Sequence, residues 1–238
     1  LKMLALSKNV MAISNSAKKD IENFINIHKL DINVDRLYLP KAIDAGKEEV
    51  VRCLKGERFI LYVSSFNNRK NHDFIISVWK ELHRIELVSN VEECKLVFVG
   101  TAQSGFEKFS DNNYKKQLEK DNIFIMNSIN NEQLKWLYKN SLFTIYPSIS
   151  EGWGFPVQES LFFGKLCIAS RSVPSAIEEK STGIIRLDPK DFFGWYSVLK
   201  NLIFNKPMRD SFEKNAKHWK ETSTWEDTIR KAVGCKKY

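Results

Sequence analysis

The sequence predicts an α/β fold built on a Rossmann-like parallel sheet. Short, uninterrupted apolar runs recur along the chain, and longer stretches with helical spacing lie between them. A strand that is apolar throughout is buried on both faces, which is typical of a parallel sheet covered by helices. A turn rich in glycine, at residues 148–155, joins one such strand to a helix. Sheets of this kind bind ligands at the carboxyl ends of their strands.

The N-terminal residues are predicted to form a strand, a helix and a second strand, and 41–58 a linker. The first strand covers 10–14, the helix covers 16–28 with Ser16 as its N-cap, and the second strand ends at 36–40. A regular alternation then begins. Strands are predicted at 59–63, 95–100, 122–126, 142–146, 166–170 and 183–187. Helices are predicted at 71–88, within 103–120, and at 131–139, 155–163, 189–204, 207–219 and 224–235.

This alternation predicts one Rossmann-like, ligand-binding domain over residues 46–206. Because the first residue is Leu1 rather than Met, we expect the chain to be part of a longer protein.

Composition excludes several classes of protein. Of the 238 residues, 43 % are apolar, which argues against disorder. With 37 basic and 29 acidic residues the net charge is +8, which suggests an anionic partner, but the basic pairs are too scattered for a nucleic-acid arm. The four cysteines are far apart, so a zinc ribbon is not expected, and they are interpreted as core residues. No apolar run approaches the roughly 18 residues of a membrane span.

The segment 148–160 carries the residues best suited to chemistry. Gly152 and Gly154 allow a tight turn and a close backbone approach, and Pro156 is favoured at the start of a helix. A helix start presents free N–H groups to an anion. Glu151 is expected in the loop and Glu159 in the first helical turn, where carboxylates accept hydrogen bonds from sugar hydroxyls. Taken alone, the two glycines more often mark a plain turn, and a glutamate near a helix start more often only stabilises the helix.

Together these residues resemble a known motif. Glu-Gly-Trp-Gly-Phe-Pro-x-x-Glu, at 151–159, is similar to the Glu-x7-Glu motif of family 4 retaining glycosyltransferases. That family has the GT-B fold, with two Rossmann-like domains and a nucleotide-sugar held by the C-terminal one, so the resemblance implies the C-terminal, donor-binding half. It further implies that residues 1–45 are the end of the N-terminal Rossmann-like domain and a linker, and that residues 207–238 are helices that cross back toward that domain. Segments 62–71, 95–100, 125–134, 174–178 and 187–191 also resemble the family.

The resemblance implies a role for each matching residue. Glu159 corresponds to the glutamate that holds the ribose hydroxyls, and Glu151 to the one beside the donor sugar. Lys70 corresponds to the diphosphate lysine and is, with Glu151, the expected catalytic residue; Arg69 assists it. The remaining expected donor-binding positions are the base-lining Met126 and Ile129 and the turn residues Gly152, Trp153, Gly154 and Phe155.

Two features of the sequence depart from the family pattern. Ser64 and Ser65 stand where many members have an arginine that binds phosphate, and Asn127 stands where a glycine is common.

Among residues outside the motif, the four histidines are expected to have surface or capping roles. Four tryptophans at helical positions are expected to lie in the core, namely Trp79, Trp136, Trp195 and Trp225.

The function implied is transfer of a hexose, such as mannose or glucose, from a GDP- or UDP-sugar to a glycan or lipid-linked acceptor, with retention. No metal or other cofactor is expected, since no Asp-x-Asp segment is suitably placed. The implied location is the cytoplasm, at the inner face of a membrane. Two alternatives stay open. One is a non-catalytic module that binds sugar nucleotides within a larger glycan-synthesis protein. The other, a nucleic-acid-binding α/β protein, rests on net charge alone.

Overall fold

The computed structural model describes residues 7–40, 43–44, 46–86, 94–220 and 223–233, and the predicted α/β fold with a parallel sheet is confirmed. A two-stranded parallel sheet is formed by β1 (Asn9–Ala12) and β2 (Asn33–Arg36). The main sheet has six strands, β3 (Arg58–Val63), β4 (Cys94–Val99), β5 (Ile123–Met126), β6 (Thr144–Tyr146), β7 (Cys167–Ser170) and β8 (Ile184–Leu187).

The order of the main sheet fixes where a ligand can bind. Its strands lie in the order β5-β4-β3-β6-β7-β8, and every pairing is parallel. The chain therefore builds outward from β3 in one direction and then from β6 in the other. The crevice at the carboxyl ends of β3 and β6 is the switch point at which doubly wound sheets bind their ligands.

Helices follow most of the strands and pack against them or against the segments beside them. They are α1 (Asn15–His28), α2 (His72–Glu86), α3 (Asn112–Glu119), α4 (Asn131–Asn140), α5 (Phe155–Phe162), α6 (Pro174–Glu178), α7 (Phe192–Phe204), α8 (Lys206–Ala216) and α9 (Trp225–Ala232). Three details differ from the sequence prediction. The second strand, β2, ends at Arg36, whereas the prediction had it end at 36–40. Ser14, not Ser16, caps α1, since its hydroxyl accepts from the amide of Ala17 at 3.0 Å. Helix α6 was not predicted, because a single turn is too short to show a 3.6-residue period.

The core explains why the strands are continuously apolar. In β3, residues 59–62 are all fully buried. Ile60 and Tyr62 pack in the cluster on one face of the sheet, and Phe59 and Leu61 pack in the cluster on the other. Alternate side chains of a strand point to opposite faces, so both faces of this strand are covered. Each such side chain contributes roughly 1.5–3 kcal/mol on burial.

The N-terminal unit contacts both the main domain and the last helix. Arg36 at the end of β2 forms an ion pair with Glu178 of α6, with 3.1 Å between Nη2 and Oε2. Thr228 of α9 donates to the carbonyl of Tyr38 at 2.7 Å, and Lys231 donates to the carbonyl of Arg36 at 2.7 Å. The domain division at 45 and 206 stays a prediction.

Three expectations about single residues are wrong. His72 is buried rather than on the surface, with 3 % exposure, among the rings of Tyr62, Phe66, Phe98 and Phe109. Trp225 is 48 % exposed on α9, whereas Trp79, Trp136 and Trp195 are core residues as predicted. Of the cysteines, Cys94 and Cys167 are buried and Cys53 is exposed, while Cys235 lies outside the described residues.

His72 makes stability depend on pH. Burial, with a smaller contribution from the positive charge of Lys70, lowers the pKa of His72 to about 3. The unfolded chain takes up this proton near pH 6.5 and the folded chain does not, so stability falls as pH drops below 6.5. We expect the free energy of unfolding to drop by about 1.5 kcal/mol more between pH 6.5 and 5 in the wild type than in His72→Gln. Urea denaturation of both proteins at the two pH values measures this. An equal loss of unfolding free energy in the two proteins would show that His72 is not the cause.

Candidate active site

The candidate site lies at the carboxyl ends of β3 and β6, the two strands at the switch point of the sheet. Lys70 ends a short 3-10 turn, Asn68–Lys70, that follows β3, and Glu151 lies in the loop after β6. The two loops are bonded to each other. The amide of Ile149 donates to the carbonyl of Arg69 at 2.7 Å, and the side chain of Asn71 donates to the carbonyl of Pro147 at 3.2 Å. The fold thus joins residues that are 81 positions apart.

Lys70 is a buried cation whose ammonium group has two hydrogen-bond partners among the described residues. Its residue exposure is 8 %. The ammonium nitrogen lies 2.5 Å from Oε1 of Glu151 and 2.6 Å from the hydroxyl of Tyr146. The hydroxyl of Tyr62 donates to its backbone carbonyl at 2.5 Å. Burial lowers the pKa of Lys70, and the hydrogen bond to Glu151 opposes that shift. The positive charge is thereby held in a desolvated position at the mouth of the crevice.

Glu151 is the carboxylate on which the site converges. Burial alone raises its pKa, but hydrogen bonds from Lys70, Ser148 and Arg69 outweigh burial and hold the pKa below its ordinary value. The hydroxyl of Ser148 donates to Oε1 at 2.6 Å, and Tyr146 donates to the same oxygen at 3.2 Å. The group is therefore an anion at neutral pH.

Arg69 lies at the rim of the site, beside the same carboxylate. Its Nη1 donates to Oε2 of Glu151 at 3.1 Å and to the carbonyl of Ser150 at 2.6 Å. About half of its side chain, 52 %, remains exposed. The guanidinium is thus positioned over the loop but stays largely hydrated, which weakens its electrostatic effect relative to that of Lys70.

The glycine-rich turn brings the start of α5 to the crevice. Gly154 has φ of +99°, and a Cβ at this residue would lie 2.5 Å from Val173 and 2.8 Å from the hydroxyl of Ser175. Pro156 is in the first turn of α5, as predicted. The turn therefore requires glycine, and it places the N-terminal amides and positive dipole end of α5 at the cleft.

Glu159 faces the same cleft from the second turn of α5, not the first turn as predicted: the helix begins at Phe155, as predicted, and Glu159 is its fifth residue. Its Oε2 accepts a hydrogen bond from the hydroxyl of Tyr138 at 2.6 Å. Burial raises the pKa of Glu159, and the Tyr138 hydrogen bond opposes this. No other described residue bonds its side chain, so Oε1 is available to a ligand.

The cleft has a volume of about 450 Å³. Its lining includes seven of the predicted site residues, Lys70, Glu151, Gly152, Trp153, Gly154, Phe155 and Glu159. Met126 and Ile129 do not line it. They lie at and beyond the end of β5, where they pack against the core cluster on one face of the sheet. Their predicted contact with the base stays a prediction.

The two departures from the family pattern have visible consequences. Ser64 lines the cleft, and its hydroxyl lies 3.1 Å from Nε2 of His72. Its short side chain leaves Lys70 as the buried cation of the cleft among the described residues. The side-chain amide of Asn127 donates to the carbonyl of Gly100 at 2.9 Å and its oxygen accepts from Lys115.

Sequence reasoning missed the residues that hold the carboxylates. Tyr146 and Ser148 both donate to Glu151, and Tyr138 donates to Glu159. Burial, with the nearby charge of Glu159, raises the pKa of Tyr138 far above its usual range, so its hydroxyl stays a donor. Tyr146 is the last residue of β6, so its place at the ligand-binding edge was a signal that could have found it.

Neither a metal cluster nor a membrane-spanning helix is present among the described residues. No group of three or more His, Cys, Asp or Glu side chains there could hold a metal ion. None of the helices in the same ranges is long and apolar enough to cross a membrane.

Comparison with known proteins agrees with this geometry. The family described as "Glycosyl transferases group 1" matches residues 47–219, a range that includes every expected site residue. The chain belongs to this family. Its N-terminal residues 1–46 lie outside the match.

A curated relative has low sequence identity to this chain. The O-antigen chain mannosyltransferase RfbU of Salmonella typhimurium is 26 % identical over 199 residues, which cover 82 % of this chain and 51 % of the relative. The chain thus spans about half the length of that curated protein.

Solved structures confirm the GT-B fold class. WaaG, a glycosyltransferase of lipopolysaccharide biosynthesis, superposes with a TM-score of 0.70 at 16 % identity, over 96 % of this chain and 62 % of WaaG. A trehalose 6-phosphate synthase from Burkholderia multivorans gives 0.72 at 11 % identity, over 90 % and 55 %. That the chain is specifically the C-terminal half stays a prediction.

Proposed function

We propose that this chain is the donor-binding half of a retaining hexosyltransferase that uses a nucleotide-sugar. The observation that carries the proposal is the Lys70–Glu151 pair, which is buried at the switch point of the sheet beside the N-terminus of α5. A cation and a helix start together suit a diphosphate, and two carboxylates suit the hydroxyls of ribose and sugar.

The chemistry follows from these charges. In the proposed reaction the bond between the sugar carbon and the diphosphate oxygen breaks as the acceptor hydroxyl forms a new glycosidic bond on the same face, and the hydroxyl proton passes to the leaving diphosphate oxygen. The sugar then has oxocarbenium character, which the anionic Glu151 stabilises, and negative charge grows on the leaving diphosphate. Lys70 and the α5 amides stabilise that negative charge, and Arg69 adds a smaller, hydrated contribution. The proposal requires no metal ion or other cofactor.

The donor class is proposed from similarity to a relative, and the acceptor class from the charge of the chain. Similarity to an O-antigen mannosyltransferase favours mannose, and with it a GDP-sugar, over glucose from a UDP-sugar. The acceptor is proposed to be a glycan or lipid-linked sugar at the inner, cytoplasmic face of a membrane, where the net charge of +8 favours contact with anionic lipid.

A non-catalytic sugar-nucleotide-binding module is the second candidate. The observation that favours it is Ser64, which occupies the cleft where many relatives have a phosphate-binding arginine. Such a module binds nucleotide through the same cleft but does not consume the donor, so measuring turnover in the full-length protein separates the two.

Calorimetric titration of this chain with GDP, UDP, ADP and CMP tests the donor site. We expect saturable binding of one nucleotide, and about tenfold weaker binding by Glu159→Gln, because the amide is a poorer acceptor for ribose hydroxyls than the carboxylate. Glu213→Gln is the matched control. Glu213 lies on α8, pairs with Lys165 and does not line the cleft, so this variant should bind nucleotide like the wild type. Absence of binding by a folded chain, or equal affinities of the two variants, would contradict the proposed site.

A further inference from the structure

A second cleft adjoins the candidate active site on the far side of Trp153. It lies between the end of β2, the loop that carries Trp153, and α6, and its volume is about 470 Å³. That volume is within the range of ordinary ligand sites. Trp153 lines both clefts, so a molecule in the second cleft is next to the one that contains Glu151.

Arg36 is the principal polar group of this second cleft. It is 7 % exposed, and its Nε and Nη2 donate to Oε2 of Glu178 at 3.3 and 3.1 Å. The guanidinium carbon lies 4.8 Å from the ring centre of Tyr38 and 4.9 Å from that of Trp153. Its third nitrogen, Nη1, is buried and has no hydrogen-bond partner among the described residues. A buried donor without a partner is costly, and a ligand oxygen can satisfy it.

The charges around the cleft indicate a neutral ligand. Two cations, Arg36 and Lys180, are balanced by two carboxylates, Glu178 and Glu179. The positive charge of Arg36 is already paired with Glu178, although the chain as a whole has a net charge of +8. A phosphate here would be repelled by both carboxylates, so an uncharged oxygen is the better partner for Nη1.

Aromatic rings beside hydrogen-bonding groups suit a carbohydrate. The C–H faces of a sugar pack on rings, and its hydroxyls exchange hydrogen bonds with N–H groups and carboxylates. Tyr38 is 53 % exposed, so part of its surface is accessible to a ligand. We propose that the Arg36–Tyr38–Trp153 cleft binds a neutral hexose unit of the acceptor glycan. This identification of the ligand as acceptor rests on the proposed transferase function, while sugar binding itself does not.

The test follows the indole N–H of Trp153 by NMR in this chain while neutral methyl glycosides are added. The probes are methyl α-mannoside, methyl α-galactoside and methyl α-rhamnoside, and Trp153→Phe assigns the signal. We expect a saturable shift at millimolar concentrations of at least one glycoside, and at least tenfold weaker binding by Tyr38→Ala. Phe193→Ala, which removes an 80 % exposed ring on α7, is the matched control and should bind like the wild type.

The remaining outcomes contradict either the carbohydrate cleft or the donor site. No saturable shift in a folded chain, equal binding by Tyr38→Ala and the wild type, or a shift caused by inorganic phosphate but by no glycoside overturns the carbohydrate cleft. Glycoside binding that weakens in Glu159→Gln places the sugar in the donor cleft and also overturns it. Glycoside binding without any nucleotide binding leaves the cleft intact and contradicts only the donor site.

Discussion

Replacing Lys70 by methionine is expected to lower the rate of sugar transfer by about 10³-fold. Methionine has a similar length but no charge, so the leaving diphosphate loses the buried cation that offsets its growing negative charge. Lys70 acts from a desolvated position, with 8 % exposure, where a charge is more effective than in water. The same change removes the partner that lies 2.5 Å from Glu151, so the pKa of that carboxyl rises relative to its pKa in the wild type.

Two measurements separate the contributions of Lys70. Donor consumption by the full-length protein gives the rate of transfer. Calorimetry on this chain gives affinities for the nucleoside diphosphate and for the bare nucleoside, and we expect the first alone to fall, by about 10- to 100-fold. Lys206→Met is the matched control, because Lys206 is exposed on α8 and pairs with Asp210. Arg69→Met should cost less than tenfold, since its side chain is half exposed. Unchanged diphosphate affinity in Lys70→Met would remove Lys70 from the donor site.

The fold was predictable because its strands are buried on both faces. A run such as residues 59–63 is apolar throughout, which is characteristic of a strand inside a parallel sheet, and the structure places a strand there. Helix α6 was missed because one turn has no period to detect. His72 was misjudged because its neighbours in sequence are polar, and only the tertiary fold brings Phe98 and Phe109 to its ring.

The site was predictable only where its residues share one local motif. Residues that only the tertiary fold brings together could not be predicted, as with His72. Glu151 and Glu159 share one local motif, so their proximity follows from sequence spacing. The residues that orient them do not share a motif with them. Tyr138 lies on α4, 21 positions from its partner Glu159, and its aromatic ring resembles any other core residue in sequence. Arg36 comes from the N-terminal unit, and its pairing with Glu178, 142 positions away, exists only in the folded chain.

Gly154→Ala is expected to destabilise the chain by about 2–5 kcal/mol and to weaken nucleotide binding. Two costs add. A side chain at φ of +99° costs about 1–2 kcal/mol, and the new Cβ, at 2.5 Å from Val173 and 2.8 Å from Ser175, costs about 1–3 kcal/mol of overpacking. Relief of the clash moves the start of α5, whose amides are proposed to hold the diphosphate.

A matched variant separates these two costs. Gly56 has a similar positive φ, +83°, but a Cβ there meets nothing within 4 Å. Gly56→Ala should therefore lose only the backbone term, about 1–2 kcal/mol, and should bind nucleotide normally. Urea denaturation gives both stabilities and calorimetry gives both affinities. If the two variants lose the same free energy, the packing of Gly154 against Val173 and Ser175 adds nothing. If Gly154→Ala is less stable but binds nucleotide as tightly as Gly56→Ala, the start of α5 does not hold the donor.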